Sequence, residues 1–443
     1  MSDARQEALR QLMRIEHGGA YIGTDVAAAD HAGAKRQTAD YVAGVTRLKR
    51  RFDFWIALFY RGKADEMEPM LRQILRLGLY ELTETDAPAF AVVNEAVRLA
   101  QEFVRPHTGG LVNAILRNFQ RRMPDLPRPS TGNPVRDWAI WYSHPTWMVK
   151  RWYAVFGDQT PKLLDWNNRR PVHSLRVNTL KITPEAFAEA LTARQIPVEP
   201  DPYLPYVFRT QHLQAVLEAG WLDNGWCTVQ DTAAGLVVLL LDPQPNEVVV
   251  DACAAPGGKS THAAIRMQNQ GRVLAIDRLD FRTNLIRKTA KTQGLSNIEV
   301  MTADFTEWAS QTDVCADRVL LDVPCTGTGV FSKRADARWK RTPEDLQTLV
   351  ALQARLLEAA TQVLKPGGVL VYSTCSVEPD ENERQIEAFL ARHPDWNVEQ
   401  PTDFPPALVQ TEGYYHALPF RDGIDGAFGA RLRKPLATDL QLN

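Results

Sequence analysis

The stretch E-V-V-V-D-A-C-A-A-P-G-G-K-S-T-H, residues 247–262, decides how this chain is read. Residues 247–250, with three consecutive valines, read as a buried strand. Asp251 stands where that strand should end. A small, flexible loop follows from Ala252 to Gly258, and a helix is expected from near Ser260. Strand, glycine-containing turn and helix start together form the corner of a parallel α/β sheet where ligands are cradled. A lone Gly-Gly fits an ordinary turn equally well, so the flanking segments must decide.

Toward the carboxyl end the alternation is regular. QDTAAGLVVLLL reads as a helix before the opening stretch, and GRVLAID, NIEVMTAD, DRVLLDVP, GGVLVYSTCS and AFGARL read as strands after it. Helical segments such as FRTNLIRKTAKTQG and PEDLQTLVALQARLLEAATQVL separate them. This order predicts a mostly parallel sheet with helices on both faces, and ligands at the strands' carboxyl ends. Asp251, Asp277, Asp304 and Asp322 each stand at an expected strand end, and Cys375 closes a fifth strand. One such aspartate is ordinarily a helix cap; four in succession with a cysteine point to a shared site. The ligand is constrained by what the loop lacks. It has no G-x-G-x-x-G, and where a phosphate-binding P-loop needs its first glycine it has Cys253. Acidic strand ends suit a ribose-bearing cation better than a pyrophosphate. S-adenosylmethionine is a sulfonium cation, and a carboxylate such as Asp277 can take both ribose hydroxyls.

Toward the amino end, residues 1 to about 122 show helical spacing and almost no strand signal. Leu9, Leu12, Met13 and Ile15 fall on one side of a first helix. Leu71, Ile74, Leu75 and Leu79, then Val92, Val93, Ala96, Val97 and Ala100, then Leu111, Val112, Ile115, Leu116 and Phe119 repeat the pattern. The expected product is a helical bundle. Its polar faces carry Arg47, Lys49, Arg50 and Arg51, and later Arg117, Arg121 and Arg122, a pattern most often of solvated faces. The proline-rich M-P-D-L-P-R-P-S-T-G-N-P is linker chemistry. Beyond it an aromatic-rich segment, punctuated at His144-Pro145, leads into the strand SLRVNTLK and the helix TPEAFAEALTAR. Trp138, Trp141, Trp147 and Trp152 are expected mainly as core. Arg176 and Asn178 alternate with the apolar strand positions and are weak candidates for RNA contact.

Composition narrows the class. A chain of 443 residues suggests about three domains. No run approaches a membrane span, and the start has no apolar core followed by a cleavage site. Five sparse cysteines without a signal peptide predict reduced thiols in the cytoplasm, and no Cys/His cluster has zinc-ligand spacing. A net charge of −2, from 51 basic and 53 acidic side chains, argues against coating nucleic acid by bulk charge.

Two resemblances sharpen these expectations. R-L-G-L-Y-E-L, Pro88, N-E-A-V-R-L-A and L-V-N-A-I-L-R-N-F resemble the NusB-like RNA-binding domain. D-A-C-A-A-P-G-G-K-S-T-H, D-V-P-C-T-G-T-G at 322–329 and S-T-C-S at 373–376 resemble the RNA cytosine-5 methyltransferases. With the bundle in front, the likeness is to the RsmB type, which acts on 16S ribosomal RNA. It implies an all-α NusB-like bundle (1–136), a small α/β linker domain (137–226) and an α/β Rossmann-like class I methyltransferase domain (227–443). It further implies S-adenosylmethionine as methyl donor, no metal, 16S ribosomal RNA as partner, and a monomer. By the same resemblance Cys375 attacks the base and Cys325 assists product release. Asp322 lies beside the ring and orients, or with a raised carboxyl pKa donates to, cytosine N3. Ala254, Ala255, Pro256, Gly257, Gly258, Lys259 and Ser260 would hold the methionine part of the cofactor, with Lys259 facing that end or the RNA. Asp277 would hold the ribose, Asp304 the adenine edge, and Asp322 would lie near the methionine amino group. Cys253 is expected to be a bystander, and Cys227 and Cys315 inert packing.

Two thiols have a chemical use. Carbon 5 of cytosine is a weak nucleophile until a thiolate adds to carbon 6. An alternative exchanges the two cysteines, since DNA cytosine-5 methyltransferases attack from their Pro-Cys motif. Residues 331–341, F-S-K-R-A-D-A-R-W-K-R, are expected to meet the RNA backbone, with the target base turned out of its stack. One departure from the family is Asp425-Gly426-Ala427-Phe428-Gly429-Ala430, where Ala427 and Gly429 are smaller than usual. Two other functions stay open: an antitermination-type RNA-binding factor with a decayed enzyme, and a methyltransferase acting on transfer RNA.

Overall fold

A computed structural model describes residues 4–19, 32–63, 66–400 and 403–436. The chain forms two compact units, one of residues 1–169 with 331–340 and one of 170–330 with 341–443. The segment 137–226, expected as one module, is therefore divided between them.

The first unit is helical, with helices Ala4–His17, Ala32–Phe59, Pro69–Glu84, Ala89–Phe103, Thr108–Arg122, Pro134–Trp141, Thr146–Phe156 and Thr160–Asn168. Their apolar stripes close on a core that includes Leu9, Phe52, Leu75, Val93, Val112 and Phe119. His144-Pro145 separates two helices as expected. Trp152 is fully buried, and Trp138, Trp141 and Trp147 are half-buried, in line with a packing role.

The basic run at 47–51 is not a solvated face. Arg47 donates to the Ser332 carbonyl, Arg50 to the His144 carbonyl and the Thr146 hydroxyl, and Arg51 to the Trp141 carbonyl. The Lys49 ammonium stands 4.5 Å from the centroid of the Trp339 ring. Residues 331–340, far along the chain, pack on this helix and convert its polar side into interior. The same packing corrects the expectation for residues 331–341. Arg338 is completely buried and donates to Asn167 O (2.7 Å), Asn168 Oδ1 (2.8 Å), and the Ser143 and Phe331 carbonyls. It is a structural tie, and only part of that basic run remains for RNA.

The second unit holds two sheets. β1 (His173–Val177), β2 (Glu199–Pro200), β3 (Val207–Thr210) and β4 (Cys227–Val229) form an antiparallel sheet in the order β2-β3-β1-β4. Its helix Pro184–Ala193 starts at Thr183, whose hydroxyl caps Ala186 N. Arg176 and Asn178 do face away from the apolar side of β1, but toward protein. Arg176 donates to Thr261 Oγ1 (3.0 Å) and Asn178 to the Gln293 and Gly225 carbonyls. Both are buried, so neither is an RNA contact.

The larger sheet contains β5 (Val248–Asp251), β6 (Arg272–Asp277), β7 (Ile298–Thr302), β8 (Ala316–Asp322), β9 (Leu364–Thr374), β10 (Asn397–Val398), β11 (Tyr415–Ala417) and β12 (Ala427–Arg433). Its order is β10-β12-β9-β8-β5-β6-β7, with β11 paired to β12. The run from β9 to β7 is parallel, and β12 is antiparallel to β9. This is the expected Rossmann-like α/β architecture. The connections run outward from β5 through β6 to β7, then return to β8 on its other side. Strand order thus reverses between β5 and β8, and ligands in such sheets bind outside the carboxyl ends at that reversal. Asp251 and Asp322 are the last residues of these two strands.

Ala427 and Phe428 are buried core residues, and a side chain on Gly429 would meet Leu240 and Tyr415. The small residues of the departing motif fit the packing beneath β12. Among the described residues no helix is long and apolar enough to cross a membrane, and no His, Cys, Asp and Glu cluster could hold a metal.

Candidate active site

The opening loop folds as strand, turn and helix. β5 ends at Asp251, and helix Gly258–Arg266 begins after Gly257. Gly257 has φ +99°, a conformation side chains rarely adopt, and a Cβ there would lie 3.1 Å from Ile286. Ala254 N donates to Ile276 O (2.9 Å) and Gly257 N to Ala254 O (2.7 Å), which stitches the loop to β6. Ala254 and Ala255 are buried and Pro256 is exposed.

Each expected cofactor residue has a definite place. Asp277 ends β6; its carboxylate accepts from Ala255 N and Leu279 N, each at 3.2 Å, and lies 3.5 Å from Arg282. It therefore borders the loop. Ser260 is fully buried and donates to Asp251 Oδ2 (2.6 Å), so its hydroxyl serves the strand end rather than a ligand. Asp304 does not end a strand. β7 stops at Thr302, and Asp304 is the cap of helix Phe305–Ala309, accepting from Thr306 N (2.9 Å) and Thr306 Oγ1 (2.6 Å). Those bonds hold its carboxyl below the usual range.

The second corner of the site joins β8 and β9. Asp322 accepts from Lys259 Nζ (2.6 Å) through one oxygen and from Ser373 Oγ (2.9 Å) through the other. Both oxygens act as acceptors, so the geometry does not present Asp322 as a ready proton donor. Burial opposes the charge on Lys259, but the Asp322 carboxylate outweighs it and the ammonium is held above its ordinary pKa. Beyond these strands, Cys325 Sγ and Cys375 Sγ lie 3.3 Å apart. The contact with Cys375 and then burial push the Cys325 thiol above its ordinary value. Burial, reinforced by Asp251, Asp322 and Asp277, also pushes the Cys253 thiol up, which fits a bystander. Cys227 is buried, its thiol pushed up to about 12 by burial; Cys315 is exposed, so packing does not account for it.

Gly329 faces the Gly426 backbone: Gly426 N donates to Gly329 O (2.9 Å), and a Cβ on Gly329 would lie 2.4 Å from Gly426 O.

Three residues near the site were not legible. Glu381 reads as part of a charged, solvated helix start, yet it is fully buried; the helix begins two residues later, at Glu383. Gln353 falls on the polar side of its helix and is also fully buried. Gln230 reads as the start of a helix that begins only at Thr232. Its carboxamide is buried without a hydrogen-bond partner among the described residues, beside Gly258. A side-chain amide in that state, a helix start whose first amides have no partner within the helix, and Asp277 at the next strand fit a ligand with both anionic and hydroxyl groups.

Asp251 supports the strand end. Burial raises its pKa to about 7. A raised carboxyl pKa means that ionisation disfavours the fold, so stability is greatest below the unfolded value near 4 and declines as pH rises to about 7. Asp251→Asn keeps an acceptor for Ser260 and is expected to abolish that decline. Thermal midpoints of both proteins across this pH range test it; parallel curves would contradict it.

Comparison with known proteins agrees with this geometry. Residues 238–433 match the family model for 16S rRNA methyltransferase RsmB/F, residues 2–121 match the NusB family, and residues 144–216 match the ferredoxin-like domain of RsmF/B-like methyltransferases. The chain is 35% identical to the protein of Synechocystis sp. named probable ribosomal RNA small subunit methyltransferase B, over 98% of this chain and 100% of that one. It is 37% identical to ribosomal RNA small subunit methyltransferase B of Sodalis glossinidius, over 88% of each chain. A solved structure, PH0851, superposes with a TM-score of 0.80 at 25% identity, covering 98% of this chain and 99% of that one.

Proposed function

The chain belongs to the RsmB/F family of 16S rRNA methyltransferases, and from that premise we propose that it methylates carbon 5 of one cytidine in 16S ribosomal RNA through a covalent cysteine–cytosine adduct. It is an S-adenosylmethionine-dependent ribosomal RNA methyltransferase; the base, the atom and the adduct are the proposal. The observation that carries it is the pair of sulfurs 3.3 Å apart, next to the Lys259–Asp322 ion pair. Methyl transfer to an exocyclic nitrogen or a ribose hydroxyl needs no thiol, whereas addition to carbon 6 needs one as nucleophile.

Ala254 to Gly258 and the Gln230 carboxamide would hold the methionine part of the methyl donor, and Asp277 the ribose. For Asp304 the capping bonds offer a sufficient account of the residue. When bound, S-adenosylmethionine supplies an electrophilic methyl group.

The protein's own groups do the rest. Cys375 Sγ, as thiolate, bonds to carbon 6, and the negative charge that moves onto N3 would face the Lys259 ammonium, which Asp322 holds in place. The electron pair of the 5,6 double bond becomes available at carbon 5, which takes the methyl group. A base then removes the proton left on carbon 5, and the carbon 6–sulfur bond breaks to restore the ring. Cys325, 3.3 Å from the attacking sulfur, would assist this last stage.

Bisulfite sequencing of 16S ribosomal RNA from cells with and without the gene tests the reading. One cytidine is expected to lose its protection when the gene is deleted. An unchanged protection pattern would sink both base and target.

A further inference from the structure

The loop carrying Cys325 has no regular secondary structure to hold it, yet nearly every polar group from Pro324 to Thr326 is engaged. Gln353 Nε2 donates to Pro324 O (2.9 Å). Arg341 donates to Cys325 O (3.3 Å) and Thr326 O (3.0 Å). Thr326 N donates to Glu381 Oε1 (2.8 Å), and Thr326 Oγ1 donates to Glu381 Oε2. Gln353 Nε2 also donates to Glu381 Oε1 (3.0 Å). Glu381 thus collects the loop and its supporting glutamine on one carboxylate, and none of its surface is exposed.

Glu381 is itself fixed to the other cysteine's segment. Its carbonyl accepts from Tyr372 OH (2.6 Å) on β9, three residues before Cys375. Its neighbour Asn382 accepts from Thr374 Oγ1 (2.6 Å) and donates to Ser376 O (3.0 Å), on either side of Cys375. Gly329 N donates to Cys375 O (3.0 Å), closing the frame. One buried residue therefore has its side chain on the Cys325 loop and its backbone on the Cys375 strand.

We propose that Glu381 is a positioning residue that sets the distance between Cys325 and Cys375, and through it the release of the methylated base. The proposal rests on the assignment of attack to Cys375 and release to Cys325. An ionised carboxylate is needed because it is an acceptor at both oxygens. A glutamine of the same shape has one oxygen and an NH₂, which must face a donor from Thr326 or Gln353. Burying a carboxylate among neutral donors is costly, so an inert filler would more economically be apolar.

The test compares Glu381→Gln, Thr326→Val, Cys325→Ala and Glu381→Gln/Cys325→Ala in the full chain. The substrate is unmethylated 16S ribosomal RNA, free and in small-subunit particles. Three quantities are read: covalent protein–RNA adduct on denaturing gels, methyl transfer over many turnovers, and S-adenosylmethionine affinity by calorimetry. Glu381→Gln is expected to accumulate adduct as Cys325→Ala does, to lose at least ~10-fold in turnover, and to hold cofactor affinity within about 2-fold. Thr326→Val, which deletes one of the bonds, should show the same defect more weakly. The double variant should be no worse than Cys325→Ala alone, since both changes remove one function.

A Glu381→Gln protein that releases product like wild type overturns the proposal. So does one that loses cofactor affinity and thermal stability without building adduct, provided Thr326→Val also builds none. If Cys325→Ala itself builds no adduct, the assignment of the two cysteines fails first, and the role of Glu381 in release fails with it.

Discussion

Cys375→Ala is expected to lose methyl transfer by ~10⁴-fold or more and to form no covalent RNA adduct, while Cys325→Ala forms the adduct and fails to discharge it. The asymmetry follows from the order of steps. Without the attacking sulfur, carbon 5 is never activated, and nothing downstream can occur. Without its partner, activation and transfer proceed, and only the breaking of the carbon 6–sulfur bond is slowed. The sulfurs lie 3.3 Å apart, so proximity cannot rank them; attack by Cys375 follows from the resemblance carried by the S-T-C-S motif. Denaturing gels with labelled RNA separate the outcomes. Adduct from Cys375→Ala and none from Cys325→Ala would exchange the roles, as in the DNA enzymes.

The second large effect lies in the first unit. Arg76 is nearly fully buried and donates to both Asp53 oxygens, at 2.7 Å each, and to Glu16 Oε2 at 2.7 Å. Arg76→Met would leave two partly exposed carboxylates facing a space with no cation of that geometry, and is expected to cost about 1–3 kcal/mol in the stability of the bundle. Hydrogen exchange along Pro69–Glu84 reports it locally. The variant should also change its response to acid. Burial opposes the Glu16 charge, but Arg76 outweighs it, so the carboxyl sits below its ordinary pKa. A carboxyl depressed in the folded state adds stability above its unfolded pKa and loses it as pH falls through the folded value. Wild type should weaken along that limb. Arg76→Met, which leaves only Lys49 and His17 as cations near Glu16, should weaken less along that limb. A variant with unchanged exchange rates would show that Arg76 contributes no net stability.

Local pattern carried much of the architecture. Leu71, Ile74, Leu75 and Leu79 lie on one face of a helix because 3.6-residue periodicity is a local property, and they are buried where expected. Strand endings at Asp251, Asp277 and Asp322 were equally legible, because each apolar run stops at an aspartate. Asp304 misled for a local reason: strand end and helix cap are two residues apart there, and an aspartate suits either.

Charge was read less well than hydrophobicity. Arg47, Arg50, Arg51, Arg176 and Arg338 all looked like solvent or RNA contacts, and all are tied to protein acceptors. A guanidinium with five donors can be satisfied inside a fold as well as outside it, and only the neighbours decide. Those neighbours come from remote parts of the chain. Ser332 is 285 positions from Arg47, and Gln293 is 117 from Arg176.

The sequence by itself therefore determined the order of elements, the helical bundle, the parallel sheet and the motifs whose resemblance named the chemistry. Those depend on periodicity and on short contiguous stretches. Tertiary structure alone decided that strand order reverses between β5 and β8, that Lys259 pairs with Asp322, and that two cysteines 50 positions apart bring their sulfurs to 3.3 Å. It also placed Glu381 beneath them. Side chains that meet across a sheet leave no periodic trace in the chain, because the free energy that joins them depends on packing between segments.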